Sequence, residues 1–367
     1  MSLEADTGFR DLRRMAERFA DRELRPGFLE HENYPFAPLN DAALRTAAEL
    51  GLFSLVLPEA QGGSGLGIQA LCEILEPLAA VDAGFAAVVF TNSLAHSALL
   101  RWAGPERAAG MTPSALIALP IYDLPSDLPL DLAAEKHAGG YALRGKVELA
   151  ALAPLAAHLL LPARIEETGG VGFFLLPADA RGLKIGAPLL TLGLRTCPAA
   201  DVELDAVTVP AESLLCGDAA SAYPPLASLF RPAVAAMALG ALKGSYEAAR
   251  DYARERYQAG RMIIEHDLVR LMLTNMAVVA VTGAALVATM ARAAEPEQPD
   301  PLAEAGLILL TEQASRAATD GVQILGGYGY MQEYGQEKRM RDTKQIESVF
   351  GAARAKRLEL ADRLLGG

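Results

Sequence analysis

Cysteine is scarce: Cys72, Cys197 and Cys216 are the only three, far apart and odd in number. Without CxxC or His spacing they argue against a disulfide framework or a zinc site, and a reducing cytoplasm is the expected setting. The histidines, His31, His96, His137, His158 and His266, show no metal-ligand spacing either. No uninterrupted apolar run reaches the ~18 residues of a membrane span, and the N-terminus lacks a basic region followed by an apolar one, so a soluble protein is expected. Positive charge is in deficit, with 33 basic against 45 acidic residues and a net charge of −12. That balance disfavours nucleic acid and anionic membrane as partners, and a phosphate-bearing ligand would need locally placed arginines. Aromatics are few at 6%, whereas hydrophobic residues make up 51% and mean hydropathy is +0.20. Such a chain is rich in Ala and Leu, mainly helical, and not disordered.

A length of 367 residues allows two or three domains. Residues 5–116 read as helices: Phe9, Leu12, Met15, Phe19 and Leu24 recur at helical spacing until Pro26 interrupts, and residues 39–50 form another helix. Between Pro58 and Gly67 lies a loop carrying Gly62, Gly63 and Gly65. It has neither GK[ST] nor GxGxxG between strand and helix, so it is no P-loop or dinucleotide fold. From 117 to 220 the pattern changes to short apolar runs punctuated by Gly and Pro, as in GYALRGKVEL, AAHLLLPARI, VGFFLLP, GLKIGAP and ADVELDAVTVP, which read as strands. From Leu226 onward helices return, with a break near Ala259 and Gly260, a polar connector from Glu295 to Pro301, and further helices over 301–325 and 347–365. The expected fold is mainly α with a β domain: an N-terminal helical domain (1–116), a middle β-sandwich or barrel-like domain (117–222) and a C-terminal four-helix bundle (223–367).

One stretch stands out. Residues 321–351 read GVQILGGYGYMQEYGQEKRMRDTKQIESVFG, with Gly326, Gly327 and Gly329 around Tyr328 and Tyr330. The double glycine after Ile324 and Leu325 suggests a helix end and a close approach of backbone to something bulky. QILGGYGYMQEY followed by MRDTK resembles the C-terminal signature of the acyl-CoA dehydrogenase flavoprotein family. GLFSLVLPEAQGGSGLG and LGLRTCPAADVELDAVTVP resemble two further blocks of that family, and so does the order helical, β, helical. The resemblance implies FAD as cofactor and a reaction at the Cα–Cβ bond of an acyl-CoA thioester. It also implies fatty acid metabolism, a homodimer or tetramer, or a paralogous partner subunit, and electron-transfer flavoprotein as redox partner.

Carried over residue by residue, the resemblance is uneven. Arg256, Gln323, Gly326 and Gly327 match the positions that reach a neighbouring subunit's FAD. Arg231 matches an arginine beside the thioester. Of the loop that holds the flavin ring, only Ser126 and Asp127 remain, and the strand end that supplies a hydroxyl to flavin N5 is Ala150-Ala151-Leu152. The catalytic glutamate falls on Phe350, and an alternative base position one residue before Arg231 falls on Phe230. Glu347 reads as a solvated or bundle-pairing glutamate, and His266 falls in a segment of bundle packing and subunit contact. A flavin here would rest on backbone N–H groups and apolar packing, with the Phe350 N–H meeting the thioester oxygen. Three readings follow: an FAD-dependent acyl-CoA dehydrogenase with its base replaced, a noncatalytic or cofactor-sharing subunit of a heteromeric dehydrogenase, or a flavin oxygenase of the same fold.

Overall fold

A computed structural model describes residues 3–33, 41–108, 111–122, 130–294 and 300–365. The N-terminal part comprises α1 (Leu3–Phe19), α2 (Asp41–Glu49), α3 (Ile68–Val81), α4 (Ala83–Ala103) and the short α5 (Pro105–Ala108). In α1 the residues Leu12, Met15, Ala16 and Phe19 share one face and pack into the core. The helix loosens into a π-turn at Ala20–Leu24 and a 3-10 turn at Arg25–Gly27, where Pro26 has no N–H to continue it. Asp82 starts α4, its Oδ1 accepting from the N–H of Gly84 at 2.9 Å and of Phe85 at 3.3 Å.

Eight strands then form one mixed sheet: β1 (Ile117–Ala118), β2 (Ala133–His137), β3 (Gly140–Ala151), β4 (His158–Ile165), β5 (Val171–Pro177), β6 (Leu183–Ile185), β7 (Ala199–Val209) and β8 (Leu214–Cys216). Their order is β6-β7-β3-β2-β4-β5-β8, with β1 pairing β4 in parallel at its edge. Leu159 to Leu161 of β4 and Phe173 and Phe174 of β5 are all buried, so both faces of the sheet are covered there, successive side chains pointing to opposite sides.

The C-terminal part is α6 (Ala219–Glu255), the hairpin β9 (Tyr257–Gln258) and β10 (Arg261–Met262), α7 (Asp267–Ala293), α8 (Pro301–Leu325), α9 (Gln336–Ile346) and α10 (Ala353–Leu365). Helix α6 runs against α3, and the contact is close because Gly240 and Gly244 face it: a Cβ on either would meet the carbonyl oxygens of Glu76 and Ala80. The expected helix over 347–365 begins only at Ala353, because Phe350 (φ 61°) and Gly351 (φ 99°) turn left-handed and break it. The charged run before it, which carried no helix expectation, is α9.

By length and composition α4, α6 and α7 are each apolar enough to cross a bilayer, which a search for uninterrupted apolar runs passes over. In α4 and α6 that stretch is 89% buried inside the protein, but in α7 it is 28% buried. Leu268, Leu271, Val278 and Val281 lie exposed along one broad side of α7.

The three parts meet at a buried ion cluster. Lys338 of α9 pairs with Asp82 at 3.2 Å and Asp342 at 2.6 Å, all three almost without solvent contact. Burial works against the ammonium, but Asp342 and Asp82 outweigh it and hold Lys338 protonated. Asp342 also accepts from the Leu194 N–H at 2.7 Å, and Asp82 from the Thr196 hydroxyl at 2.8 Å. Arg341 reaches Glu32 at 2.8 Å and the Leu192 carbonyl at 2.8 Å.

Candidate active site

The positions expected to carry chemistry converge on an aromatic cluster. Phe350 packs edge-on against Phe90 (5.8 Å between ring centroids) and Tyr223 (6.4 Å). Phe90 also meets Phe230 at 6.1 Å, so both candidate base positions, 350 and 230, border the same ring. Tyr223 stacks on Phe173 at 5.6 Å, and Phe173 on Trp102 at 4.8 Å. A chain poor in aromatics has spent six of them in one connected cluster.

The backbone around this stack is closed as well. The Phe350 N–H, expected to be free for a thioester oxygen, donates to the Ile121 carbonyl at 2.8 Å, and the Gly351 N–H donates to Tyr122 at 3.0 Å. That expectation is therefore corrected: the donor is already used. Leu119 and Ala151 exchange hydrogen bonds of 3.1 and 3.2 Å, and the Leu152 N–H donates to Pro198 at 2.8 Å. At the strand end where a hydroxyl was missing, Ala150, Ala151 and Leu152 are fully buried and their neighbours fill the space. Ser126 and Asp127 lie outside the described residues. Among the described residues this place offers little to a flavin ring: Ala150 to Leu152 carry no side-chain donor, and the amides of Ala151, Leu152, Phe350 and Gly351 bond to other protein carbonyls.

Arg231 is 5% exposed and points into the C-terminal bundle. Its Nη1 lies 2.5 Å from Glu304 in an ion pair without a directed hydrogen bond, and its Nη2 lies 3.4 Å from Glu359. Arg363 reaches the same Glu304 at 2.6 Å. Burial pulls the Arg231 pKa down and the carboxylates oppose it, so its charge is engaged within the protein. Lys356, which the sequence did not single out, holds the turn from behind: its Nζ donates to the carbonyls of Glu347 and Val349, each at 2.7 Å. Burial first, then the charge of Arg231, pull its pKa down to about 8. Glu347 pairs with Lys344 at 2.6 Å. His266 is half-buried and its Nε2 lies 3.1 Å from the Gln258 carbonyl.

Elsewhere the chain is open. A cavity of about 580 Å³ is bounded by Tyr252, Arg256, Gln258, Gly326, Gly327 and Tyr328. Gly326 (φ 59°) ends α8, and a Cβ at Gly326 or Gly327 would meet nothing within 4 Å, so the backbone there faces free space. The Arg256 guanidinium lies over the Tyr328 ring at 5.5 Å. Gln323 is exposed one turn earlier on α8. This hollow, with an arginine, an amide side chain and two bare glycines, fits the phosphate and sugar part of a dinucleotide.

The profile described as "Acyl-CoA dehydrogenase, N-terminal domain" matches residues 8–115, and "Acyl-CoA dehydrogenase, C-terminal domain" matches residues 227–365. The chain belongs to the acyl-CoA dehydrogenase family. It is 28% identical over 342 residues to cyclohexane-1-carbonyl-CoA dehydrogenase of Geobacter metallireducens, covering 89% of this chain and 90% of that protein. It is 26% identical over 371 residues to 3-(aryl)acrylate reductase of Clostridium sporogenes, covering 96% and 97%. The solved structure of butyryl-CoA dehydrogenase from Megasphaera elsdenii superposes with a TM-score of 0.88 at 23% identity, covering 97% of this chain and 98% of that one. That likeness speaks for the fold of this family member. Its chemistry has to be argued from the site.

Proposed function

We propose that this chain is a subunit of an FAD-dependent oxidoreductase acting on an acyl-CoA thioester, and that the flavin it touches is carried by a neighbouring chain. The observation that carries the reading is the contrast between two places. The hollow at Arg256, Gly326 and Gly327 is open, while the backbone amides beside Phe350 are bonded within the protein. The comparisons support the reaction class: the relatives named above act on acyl-CoA or arylacrylate substrates by their names. The exposed apolar side of α7 supports assembly with a second copy or a paralogue, since such a face is more stable covered than wet. The same reading takes electron-transfer flavoprotein as a redox partner, fatty acid metabolism as the setting and the cytoplasm as the compartment. A hollow of about 440 Å³ behind Phe230, walled by Phe9, Leu66, Ile68 and Leu229, is the space whose size and apolar lining suit an acyl group.

The visible spectrum of the purified protein, before and after soaking with FAD and gel filtration, tests this. The expected result is a colourless chain alone that acquires flavin absorbance when assembled with a paralogue carrying a glutamate at the Phe350 position. Failure of every such assembly to hold flavin or to react with acyl-CoA would overturn it.

A further inference from the structure

The hollow of about 440 Å³ behind Phe230 has a polar rim as well as an apolar wall. Arg292 is the only charged side chain among the described residues that line it, in a chain whose net charge is −12. It lies in the last turn of α7, where a cation suits the helix end. Its guanidinium donates to the Thr289 hydroxyl at 3.2 Å and has no carboxylate partner among the described residues. The same hollow is lined by Gly67, Ile68, Gln69 and Ala70, where α3 begins. Gly67 is the N-cap and has no side chain to cap with, and the N–H groups of Ile68, Gln69 and Ala70 have no acceptor among the described residues. Ser97 of α4 adds a half-buried hydroxyl. The rest of the wall is apolar, with Phe9, Val56, Leu66 and Leu229. Phe230 meets Phe90 at 6.1 Å, and Phe90 meets Phe350, so the Phe230 and Phe90 rings stand between the hollow and the turn before α10.

We propose that this hollow binds a monocarboxylate with an apolar body. The carboxylate lies at Arg292 and the bare amides of α3, and the body fills the space along Phe9, Leu66 and Leu229. A guanidinium and backbone N–H groups at a helix start are donors suited to carboxylate oxygens, and such charge-assisted bonds are about twice as strong as neutral ones. No acidic side chain among the described lining residues opposes the anion. The volume is roughly three times that of a ~150 Å³ cavity that takes benzene, so a medium-length aliphatic chain or an aryl group with a short tail fits. The body is the acyl group that the functional reading places here; the head is a free carboxylate rather than a thioester, and that choice rests on the rim alone.

Titration calorimetry of the purified full chain near neutral pH, without FAD or CoA, tests the site with octanoate as probe and octan-1-ol as a neutral control of the same length. Octanoate is expected to bind at least about 10-fold more tightly than octan-1-ol. Arg292→Gln, at an exposed side chain, is expected to weaken octanoate by about 10-fold and to leave octan-1-ol unchanged. Gly67→Asp is expected to do the same without loss of stability. Gly67 has an ordinary extended backbone (φ −84°, ψ −174°), a Cβ there meets nothing within 4 Å, and aspartate is a favoured N-cap whose own carboxylate takes the α3 amides. No octanoate binding, equal binding of the two probes, or an octanoate affinity unchanged in either variant overturns the proposal. Binding of octanoyl-CoA without binding of octanoate also overturns it and leaves the functional reading standing. Octanoate binding in a chain that holds flavin in no assembly leaves the carboxylate site standing while that reading falls.

Discussion

Restoring the family's carboxylate by Phe350→Glu is expected to produce a destabilised protein rather than a dehydrogenase. Phe350 is 2% exposed, and its ring is packed between Phe90 and Tyr223. Removing a buried phenylalanine ring costs about 3–5 kcal/mol, and a carboxyl left there without a partner adds about 1–3 kcal/mol. The sum, roughly 4–8 kcal/mol, is comparable with the whole stability of many domains. The buried cations on this side of the bundle are already committed, Arg231 to Glu304 and Lys356 to the carbonyls of Glu347 and Val349. Arg231 could reach the new group only by leaving Glu304, and Lys356 has one N–H left beyond its two carbonyl bonds. The Phe350 N–H would still bond to Ile121, and no side-chain donor would exist at Ala151. Urea denaturation should show a lowered midpoint, and a dye-linked assay with a panel of acyl-CoA thioesters should show no turnover. A variant within about 1 kcal/mol of the parent that oxidises acyl-CoA would refute the reasoning.

Three other outcomes are expected. Lys338→Met leaves Asp82 and Asp342 buried without their cation and should lower stability by about 3–5 kcal/mol in urea titration; little change would mean that the cluster is not what joins the three parts. Lys356 has a folded pKa near 8, below its ordinary value, so between pH 8 and 10.5 the unfolded chain binds the extra proton. Stability should therefore rise with pH across that window, by up to about 3 kcal/mol, and Lys356→Met should flatten the rise; an unchanged slope in the variant would assign the effect elsewhere. Val281→Asp places a charge on the exposed apolar side of α7 and should shift light-scattering mass toward the monomer, whereas an unchanged mass would remove that side from any interface.

Much of the fold was legible because it depends on periodicity and punctuation. The strands from GYALRGKVEL to ADVELDAVTVP, the helix over 301–325 and the break near Gly260 follow from apolar spacing and from Gly and Pro. β2 was missed because AAEKH has one buried residue and no strand-like pattern; it exists through its pairing with β3 and β4. α9 was read as a charge run, since its charges only become inward-facing once Asp82 and Glu32 are brought to them. Of the site, the loss of the carboxylate at Phe350 could be read directly. Phe90 and Tyr223 could not, because single aromatics in helices give no sign that they will meet Phe350 more than a hundred residues further on.

By itself, the sequence determined the family, the order of helical and β segments, and the apolar residue at each of the two base positions. These are local properties of residue type and spacing, and they survive without knowledge of neighbours. Only the tertiary structure decided that Arg231 faces Glu304, that Lys356 holds the turn, and that Ile121 and Tyr122 take up the amides beside Phe350. Those facts depend on which polar group lies within about 3 Å of which, and such contacts are set by packing rather than by any pattern along the chain.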